Sequence, residues 1–181
     1  MKALDSGAAI NSRNRIGDSA LMIAIKRGFD SMALELIARG ADVALANVSN
    51  VTPLSAAAFE GRTDVVRALL AKGARIESLD RMKKPAIVYA AGNGHTEVVR
   101  MLLESGASIN ERHDAELTIL MWAAGFNRGD TVEFLLAHGA DASLRDDRGK
   151  TAAVQARENG YAALAERLER AEHAQGTNAA N

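Results

Sequence analysis

The sequence has no cysteine, few aromatic residues and no long apolar run, and these features exclude several classes of protein. With no cysteine among 181 residues, disulfides, cysteine-based zinc sites and cysteine nucleophiles are excluded, while oxidising and reducing compartments both stay open. No apolar run is long enough to form a transmembrane helix, so we expect no membrane span. Because the net charge is −1, the composition argues against a nucleic-acid role based on neutralising phosphates.

Glycine, by contrast, is abundant and recurs with a fixed period of 33 residues. A fixed period of this length indicates a stacked repeat protein. Hydrophobic residues make up 48% of the chain but aromatic residues only 4%, which predicts a thin core of alanine and leucine. Two columns carry the period: Gly7, Gly40, Gly73, Gly106 and Gly139, and then Gly28, Gly61, Gly94, Asn127 and Gly160.

The residues between the glycines predict two helices in each repeat. In the second copy, Thr52 is placed to cap a first helix through its side-chain oxygen, and Pro53 suits the first helical position. The second glycine column ends this helix, and asparagine is the best substitute there because it tolerates the left-handed conformation. An amphipathic second helix follows at residues 63–70, with an acidic residue in its first turn.

The repeat unit resembles the ankyrin repeat over residues 3–169. Residues 52–57, T-P-L-S-A-A, are similar to the family motif T-P-L-H-x-A, and residues 94–99 and 40–43 match two further family signatures. The resemblance implies an all-α solenoid of stacked helix–turn–helix units joined by short β-turn or hairpin connectors. Lys83 and Glu116 depart from the pattern because they occupy a turn column that holds Gly17 and Gly149, so we expect those two turns to be strained or differently shaped.

The period also predicts where the repeats begin and end. Only the end of a second helix, Ala3 to Ser6, is expected before the first full repeat. Either the chain is cut from a longer one, with an upstream domain or a signal peptide removed, or the natural protein uses a very short cap; Met1 and Lys2 themselves lead straight into repeat sequence. Residues 170–181 are expected to be a disordered tail. The predicted ankyrin domain, 1–169, comprises a partial unit at 1–13, repeats at 14–46, 47–79, 80–112 and 113–145, and a capping repeat at 146–169.

No catalytic or metal-binding pattern is present. The four histidines, His95, His113, His138 and His173, lie in different repeats or near the end and form no helical pair at the spacing that a zinc site uses. Neither a nucleophile elbow nor a phosphate-binding loop occurs. We therefore predict that the chain is not an enzyme and has no catalytic residue, no metal site and no cofactor.

The resemblance implies a protein partner held on a concave face formed by the turn tips and first helices. Apolar side chains at tips are unusual in solvated loops, and aromatic, methionine and arginine residues are enriched in interfaces. We assign Phe59 and Phe126 to one outward-facing column near the ends of the first helices. The predicted partner-binding residues are Val51, Phe59, Leu79, Arg81, Met82, Lys84, Tyr89, Leu117, Trp122 and Phe126.

Two features of this face have alternative interpretations. Tyr89 and Trp122 either pack against neighbouring repeats or contact the partner directly. The uneven charges at the tips either belong to ordinary solvated loops or form a basic N-terminal flank, with Lys26 and Arg27 beside the first tip, that suits an acidic partner segment.

The function predicted from the sequence is a non-enzymatic protein–protein interaction module, or scaffold, that is monomeric and binds another protein. The alternative is a regulatory or inhibitory segment of a larger protein whose catalytic domain lies outside this chain. The alanine- and arginine-rich composition suggests a bacterial origin. Cytoplasm and periplasm are both compatible with the sequence, the latter if a signal peptide has been removed, and the partner's identity stays open.

Overall fold

The computed structural model describes residues 9–178 and confirms the all-α architecture. Ten α-helices lie in this range and follow the 33-residue period in pairs. The chain divides into two compact units, of which unit 1 ends at Ala86 and unit 2 begins at Ile87. A single continuous domain over residues 1–169 stays a prediction.

Unit 1 contains two helix pairs. Helix α1, Ala20–Arg27, packs on α2, Asp30–Ala38, and α3, Pro53–Phe59, packs on α4, Thr63–Ala71. The first helices α1 and α3 also pack side by side, as do the second helices α2 and α4. First and second helices therefore form two layers, with buried leucine, isoleucine and alanine between them.

Unit 2 has the same arrangement of helices. They are α5, Ala86–Asn93, which begins at the boundary, α6, Thr96–Glu104, α7, Ile119–Gly125, α8, Gly129–Ala137, α9, Ala152–Glu158, and α10, Ala162–Asn178. Helix α7 packs on α8 and α9, α6 packs on α8, and α9 packs on α10. One turn of 3-10 helix, Asp114–Glu116, precedes α7.

Side-chain caps begin four of the five first helices, as the sequence predicts. The hydroxyl oxygens of Ser19, Thr52, Thr118 and Thr151 accept hydrogen bonds of 3.1–3.5 Å from the backbone N–H three residues later. Pro53 occupies the first turn of α3, where the missing donor costs nothing. Each cap satisfies one backbone N–H that the helix itself leaves without a partner.

An alanine column lets the first helices approach one another closely. All five members are buried, with at most 1% of their surface exposed. A larger side chain at these positions has no room, because protein interiors are packed at crystal-like density. The column consists of Ala24 and Ala57 in unit 1, and Ala90, Ala123 and Ala156 in unit 2.

The turn after α7 confirms the reading of the second glycine column. Asn127 has φ +56°, in the left-handed region, where the equivalent Gly94 has φ +82°. The Asn127 N–H donates to the carbonyl of Ala124, which ends the helix. The period thus continues through this substitution without an insertion.

The prediction of a disordered tail from residue 170 is wrong for residues 170–178, which continue helix α10. The side-chain amide of Gln175 holds this part of α10 against the connector at residues 140–142. Its Oε1 accepts from the N–H of Ala142 at 2.9 Å, and its Nε2 donates to the carbonyl of Ala140 at 2.9 Å. Residues 179–181, and the predicted N-terminal helix end at residues 3–6, lie outside the described residues.

Candidate partner-binding surface

The five tip turns share one backbone hydrogen bond. In each, the N–H of the first residue donates to the carbonyl of the fifth, at 2.9–3.3 Å. Among residues 9–178, β-pairing is limited to one isolated antiparallel bridge, between Arg13 and Ser19, so the connectors are turns and not extended hairpins. The tip turns are residues 14–18, 47–51, 80–84, 113–117 and 146–150.

Four of the tip turns are held by an asparagine or aspartate at the first position. The side-chain Oδ1 accepts from the backbone N–H groups two and four residues later, at 2.8–3.1 Å. This turn chemistry makes the tips well-defined platforms, because both donors of the loop are satisfied locally. The four residues are Asn14, Asn47, Asp80 and Asp146.

The fourth tip turn differs because His113 replaces the asparagine or aspartate. Ala115 and Glu116 both have φ +58°, and the turn tightens into the 3-10 segment. Burial lowers the pKa of the His113 imidazole, and the nearby Glu111 carboxylate raises it by a smaller amount. Within the described residues the buried His113 Nε2 has no hydrogen-bond partner. This difference could be predicted from the sequence, since His113 is the one residue of its column that is neither asparagine nor aspartate.

The third and fourth tip turns have the backbone strain that the turn column predicts. Lys83 has φ +55° and Glu116 has φ +58°, at positions where Gly17 and Gly149 have φ +79° and +75°. A residue with a Cβ has a steric cost in this region, which glycine avoids. Both turns also contain residues predicted to bind the partner, such as Met82 and Leu117.

Within each unit, the tip turns and the first helices form a surface that we call the tip face of that unit. The N–H of Val48 donates to the carbonyl of Ile16 at 3.1 Å, so consecutive tips of unit 1 are joined by backbone bonds. Lys26, at the end of α1, reaches back to Asp18 at 2.7 Å, so the helix ends lie beside the tips. The tip face comprises residues 13–27, 46–60 and 79–86 in unit 1, and 87–93, 112–126 and 145–159 in unit 2.

In unit 1, most of the predicted apolar contact residues are exposed. Phe59 at the end of α3 is 50% exposed, and Met82 in the third tip turn is 60% exposed. Leu79 is 45% exposed. Large apolar side chains with this degree of exposure are typical of interface anchors in an unbound protein. Of the remaining predicted residues, Arg81 is exposed, while Val51 and Lys84 are half-buried.

In unit 2, the aromatic side chains of Trp122, on α7, and Phe126, which directly follows α7, form a stack. The ring centroids of Trp122 and Phe126 lie 6.1 Å apart with an interplanar angle of 10°. Phe126 is 51% exposed, while Trp122 is half-buried, as are the predicted contact residues Tyr89 and Leu117. Trp122 and Tyr89 are therefore partly packed and partly accessible, so both interpretations from the sequence stay open.

The assignment of Phe59 and Phe126 to one column is wrong. The two residues are 67 positions apart, one more than two repeats, so Phe126 shares its column with Glu60. The column of Phe59 holds Gly92 and Gly125 in unit 2. The Phe126 ring lies beside Gly92: a Cβ on Gly92 would be 3.6 Å from Phe126 Cδ2, an ordinary van der Waals contact.

The stack forms one wall of a groove in unit 2 with a volume of about 200 Å³. Arg148, Gln155 and Asn159 form a polar part of its lining, which we call the polar wall. The buried carboxylate of Asp146 accepts from Arg148 Nη2 at 2.7 Å and from Gln155 Nε2 at 3.1 Å. The groove is lined by Leu117, Met121, Trp122, Gly125, Phe126, Arg148, Gln155 and Asn159.

Asp146 organises the polar wall in its charged form. Burial raises the pKa of its carboxyl, but hydrogen bonds from the N–H groups of Lys150 and Arg148 and from the Arg148 guanidinium outweigh this effect. The pKa of Asp146 therefore lies below its ordinary value, and its charge persists at neutral pH. A groove with an aromatic wall and a fixed polar wall can hold an apolar side chain and orient the backbone beside it.

The last repeat contributes residues to this groove that are not among the predicted binding residues. Gln155 continues the column of Trp122, and Asn159 continues the column of Phe126. Arg148 continues the column of Met82. All three could be predicted by extending these columns into the capping repeat, because the period is unbroken there.

Two searches of the described residues concern other functions. Within residues 9–178, no three histidine, aspartate or glutamate side chains are grouped so that they could hold a metal ion. None of the helices in that range combines the length and the apolar character that crossing a bilayer requires.

The fold and this surface define a helical repeat protein with exposed apolar residues on its first helices and tips. The family model described as ankyrin repeats (3 copies) matches residues 1–80, 21–113 and 87–178. The chain therefore belongs to the ankyrin-repeat family, whose members are generally protein–protein interaction modules and typically non-enzymatic. A search of curated proteins gave no match.

Proposed function

We propose that this chain is a non-enzymatic interaction module that binds a partner protein through the tip face, which is the concave side of ankyrin stacks. The observation that carries the proposal is the exposure of Phe59 and Phe126, each about half accessible, at the ends of first helices. Phe59 is the last residue of α3 and Phe126 directly follows α7, and both helices are largely buried, so each ring is attached to a packed element before binding.

The surroundings of each ring support the same role. Phe59 lies on the same tip face as the exposed Met82 and Leu79 in unit 1, and Phe126 forms a wall of the groove in unit 2. Hot spots of interfaces combine such aromatic anchors with a rim of polar groups that excludes water. Gln155 and Asn159 supply amide groups of that kind beside Phe126.

The second helices offer a weaker alternative surface. Their exposed positions carry intrahelical ion pairs, such as Arg67 with Asp64 at 2.6 Å and Arg100 with Glu97 at 3.1 Å. Charged, solvated side chains of this kind are depleted from interface cores. We therefore place the partner on the tip face.

Amide hydrogen exchange with and without a partner tests the location. The chain is used to capture a binding protein from native extract, and exchange is then measured on the purified complex. We expect slower exchange at residues 46–60 and 112–126 on binding, with little change in α4 and α8. Protection confined to α4 and α8 would contradict the proposed surface.

A further inference from the structure

Basic side chains concentrate on the tip face of unit 1. This surface carries seven lysine and arginine residues against three acidic ones, a net charge of +4. The rest of unit 1, residues 28–45 and 61–78, carries five of each and is neutral. Residues 87–178 carry nine basic and fourteen acidic residues, a net charge of −5. The positive charge is therefore local to one surface of one unit.

The acidic residues of this surface do little to offset the charge. Asp18 and Asp80 are buried, at 4% and 8% exposure. Asp18 binds Lys26 and accepts from Asn47 Nδ2, and Asp80 accepts from the backbone of its own turn. Glu60 is the third, and its carboxylate lies 3.9 Å from Arg62. The charge that faces solvent is consequently positive.

Most cations on this surface are without an ionic partner among residues 9–178. The exposed side chains of Arg15, Arg27, Arg81 and Lys83 pair with no acidic side chain of the described chain, and Arg13 donates only to backbone carbonyls. Elsewhere in unit 1, Arg39, Arg62 and Arg67 each pair with a carboxylate, while Lys72 and Arg75 pair with no described carboxylate. The tip face differs because its unpaired cations lie together on a surface with a net charge of +4, which favours an external anion.

Apolar side chains alternate with these cations. Ile16 follows Arg15 and is 54% exposed, and Met82 follows Arg81. Val48, in the tip turn between them, is 50% exposed. We propose that the tip face of unit 1 binds an acidic, partly apolar peptide segment of the partner protein, with carboxylates on Arg15 and Arg81 and apolar side chains between them. This inference rests on the proposed function and specifies the chemistry of the partner.

The repeat geometry sets the spacing of the carboxylates. Arg15 and Arg81 occupy one column and are separated by two repeats. Packed helices lie about 8–10 Å apart, and an extended chain advances about 3.3 Å per residue, so one repeat corresponds to about three residues of the partner. The segment should therefore carry acidic residues about six positions apart, with apolar residues between them.

A peptide fits this surface better than a nucleic acid does. Phosphate recognition would use the cations but would leave Ile16, Val48 and Met82 in contact with a charged backbone. The net charge of −5 on residues 87–178 also disfavours a long polyanion, because it repels any strand that extends beyond unit 1.

Selection from a display library of random twelve-residue peptides tests the proposal with the full chain. We expect enriched peptides to carry several carboxylates with apolar residues between them. Their affinity should fall about tenfold or more in the double variant Arg15→Glu with Arg81→Glu, and the wild-type affinity should weaken with salt. The matched control is Lys72→Glu with Arg75→Glu, which makes the same charge change outside the tip face and should bind like the wild type.

Each other outcome overturns the inference in a recognisable way. Enrichment of neutral or basic peptides, no enrichment, or equal loss of affinity in the control variant would contradict it. If peptides lose affinity for the Phe126→Ala variant but not for the double variant Arg15→Glu with Arg81→Glu, the proposed function is supported and the acidic segment is refuted. Tighter binding of a single-stranded DNA twelve-mer, lost in the same double variant, would assign the surface to nucleic acid.

Discussion

The ring of Phe126 lies against Gly92 of the preceding repeat, 3.6 Å from where a Cβ on that glycine would stand. This distance is an ordinary van der Waals contact, so the glycine makes room for the ring without being strictly required. The relationship couples two consecutive repeats of unit 2 through a side chain that is still half exposed. It explains how an aromatic anchor can be both supported and accessible.

Gly92→Ala should stabilise the protein. Gly92 lies in α5 with no left-handed φ, and alanine favours a helix over glycine by about 0.5–1 kcal/mol. Gly94→Ala is the matched control and should destabilise, because Gly94 has φ +82° and its Cβ would lie 2.9 Å from Arg128 Cδ. Urea denaturation of both variants checks this, and a loss of stability in Gly92→Ala would contradict the contact geometry.

Lys83→Gly should also stabilise the protein, by about 1 kcal/mol, because glycine removes the steric cost of the left-handed conformation. Lys83→Ala keeps that cost and should change the free energy of unfolding by less than about 0.5 kcal/mol. Thermal unfolding followed by circular dichroism distinguishes them. Equal midpoints for the two variants would mean that the turn is unstrained.

Ala90→Leu should lower the free energy of unfolding by about 1–3 kcal/mol, because the added side chain overpacks a fully buried position. The exposed tip change Ser49→Ala should stay within about 0.5 kcal/mol. Chemical denaturation of the two variants measures the difference. If they unfold at the same denaturant concentration, the alanine column does not form the contact between first helices.

His113 should make stability depend on pH. Its pKa is lowered in the folded state, mainly by burial, so the unfolded chain binds a proton more readily than the folded chain. Stability from this group is therefore complete above its ordinary pKa of 6.5 and declines as the pH falls below that value. Between pH 7.5 and pH 5.5, the free energy of unfolding should fall less in His113→Gln than in the wild type. An equal fall in the two proteins would contradict the lowered pKa of His113.

The helices could be predicted from the sequence because period and capping act locally. Thr52 and Asn127, for example, cap and end their helices through bonds to residues three or four positions away. The docking of residues 170–178 could not be predicted in the same way. It depends on Gln175 bonding to a connector 33 and 35 residues earlier, and those bonds leave no apolar pattern in the sequence.

The candidate surface was predictable in part for the same reason. Exposure of Met82 followed from its column, because Ile16, Ser49, Ala115 and Arg148 at the same position are exposed as well. Exposure of Phe59 did not follow in this way, because Gly92 in its column is buried. The groove in unit 2 did not follow, since it arises from a ring that crosses into the empty Gly92 column and from polar residues of the last repeat. The repeat register predicts which way a side chain points, but the shape of the groove depends on packing between side chains of different columns.

Dissociation kinetics of three phenylalanine variants test the central claim most directly. Once a partner has been captured, Phe59→Ala and Phe126→Ala should each weaken binding by about 1–3 kcal/mol, mainly through faster dissociation. Phe29→Ala is the matched control, because Phe29 is 54% exposed but lies between α1 and α2, outside the tip face. Unchanged dissociation in both tip-face variants, together with faster dissociation in Phe29→Ala, would contradict binding through the tip face.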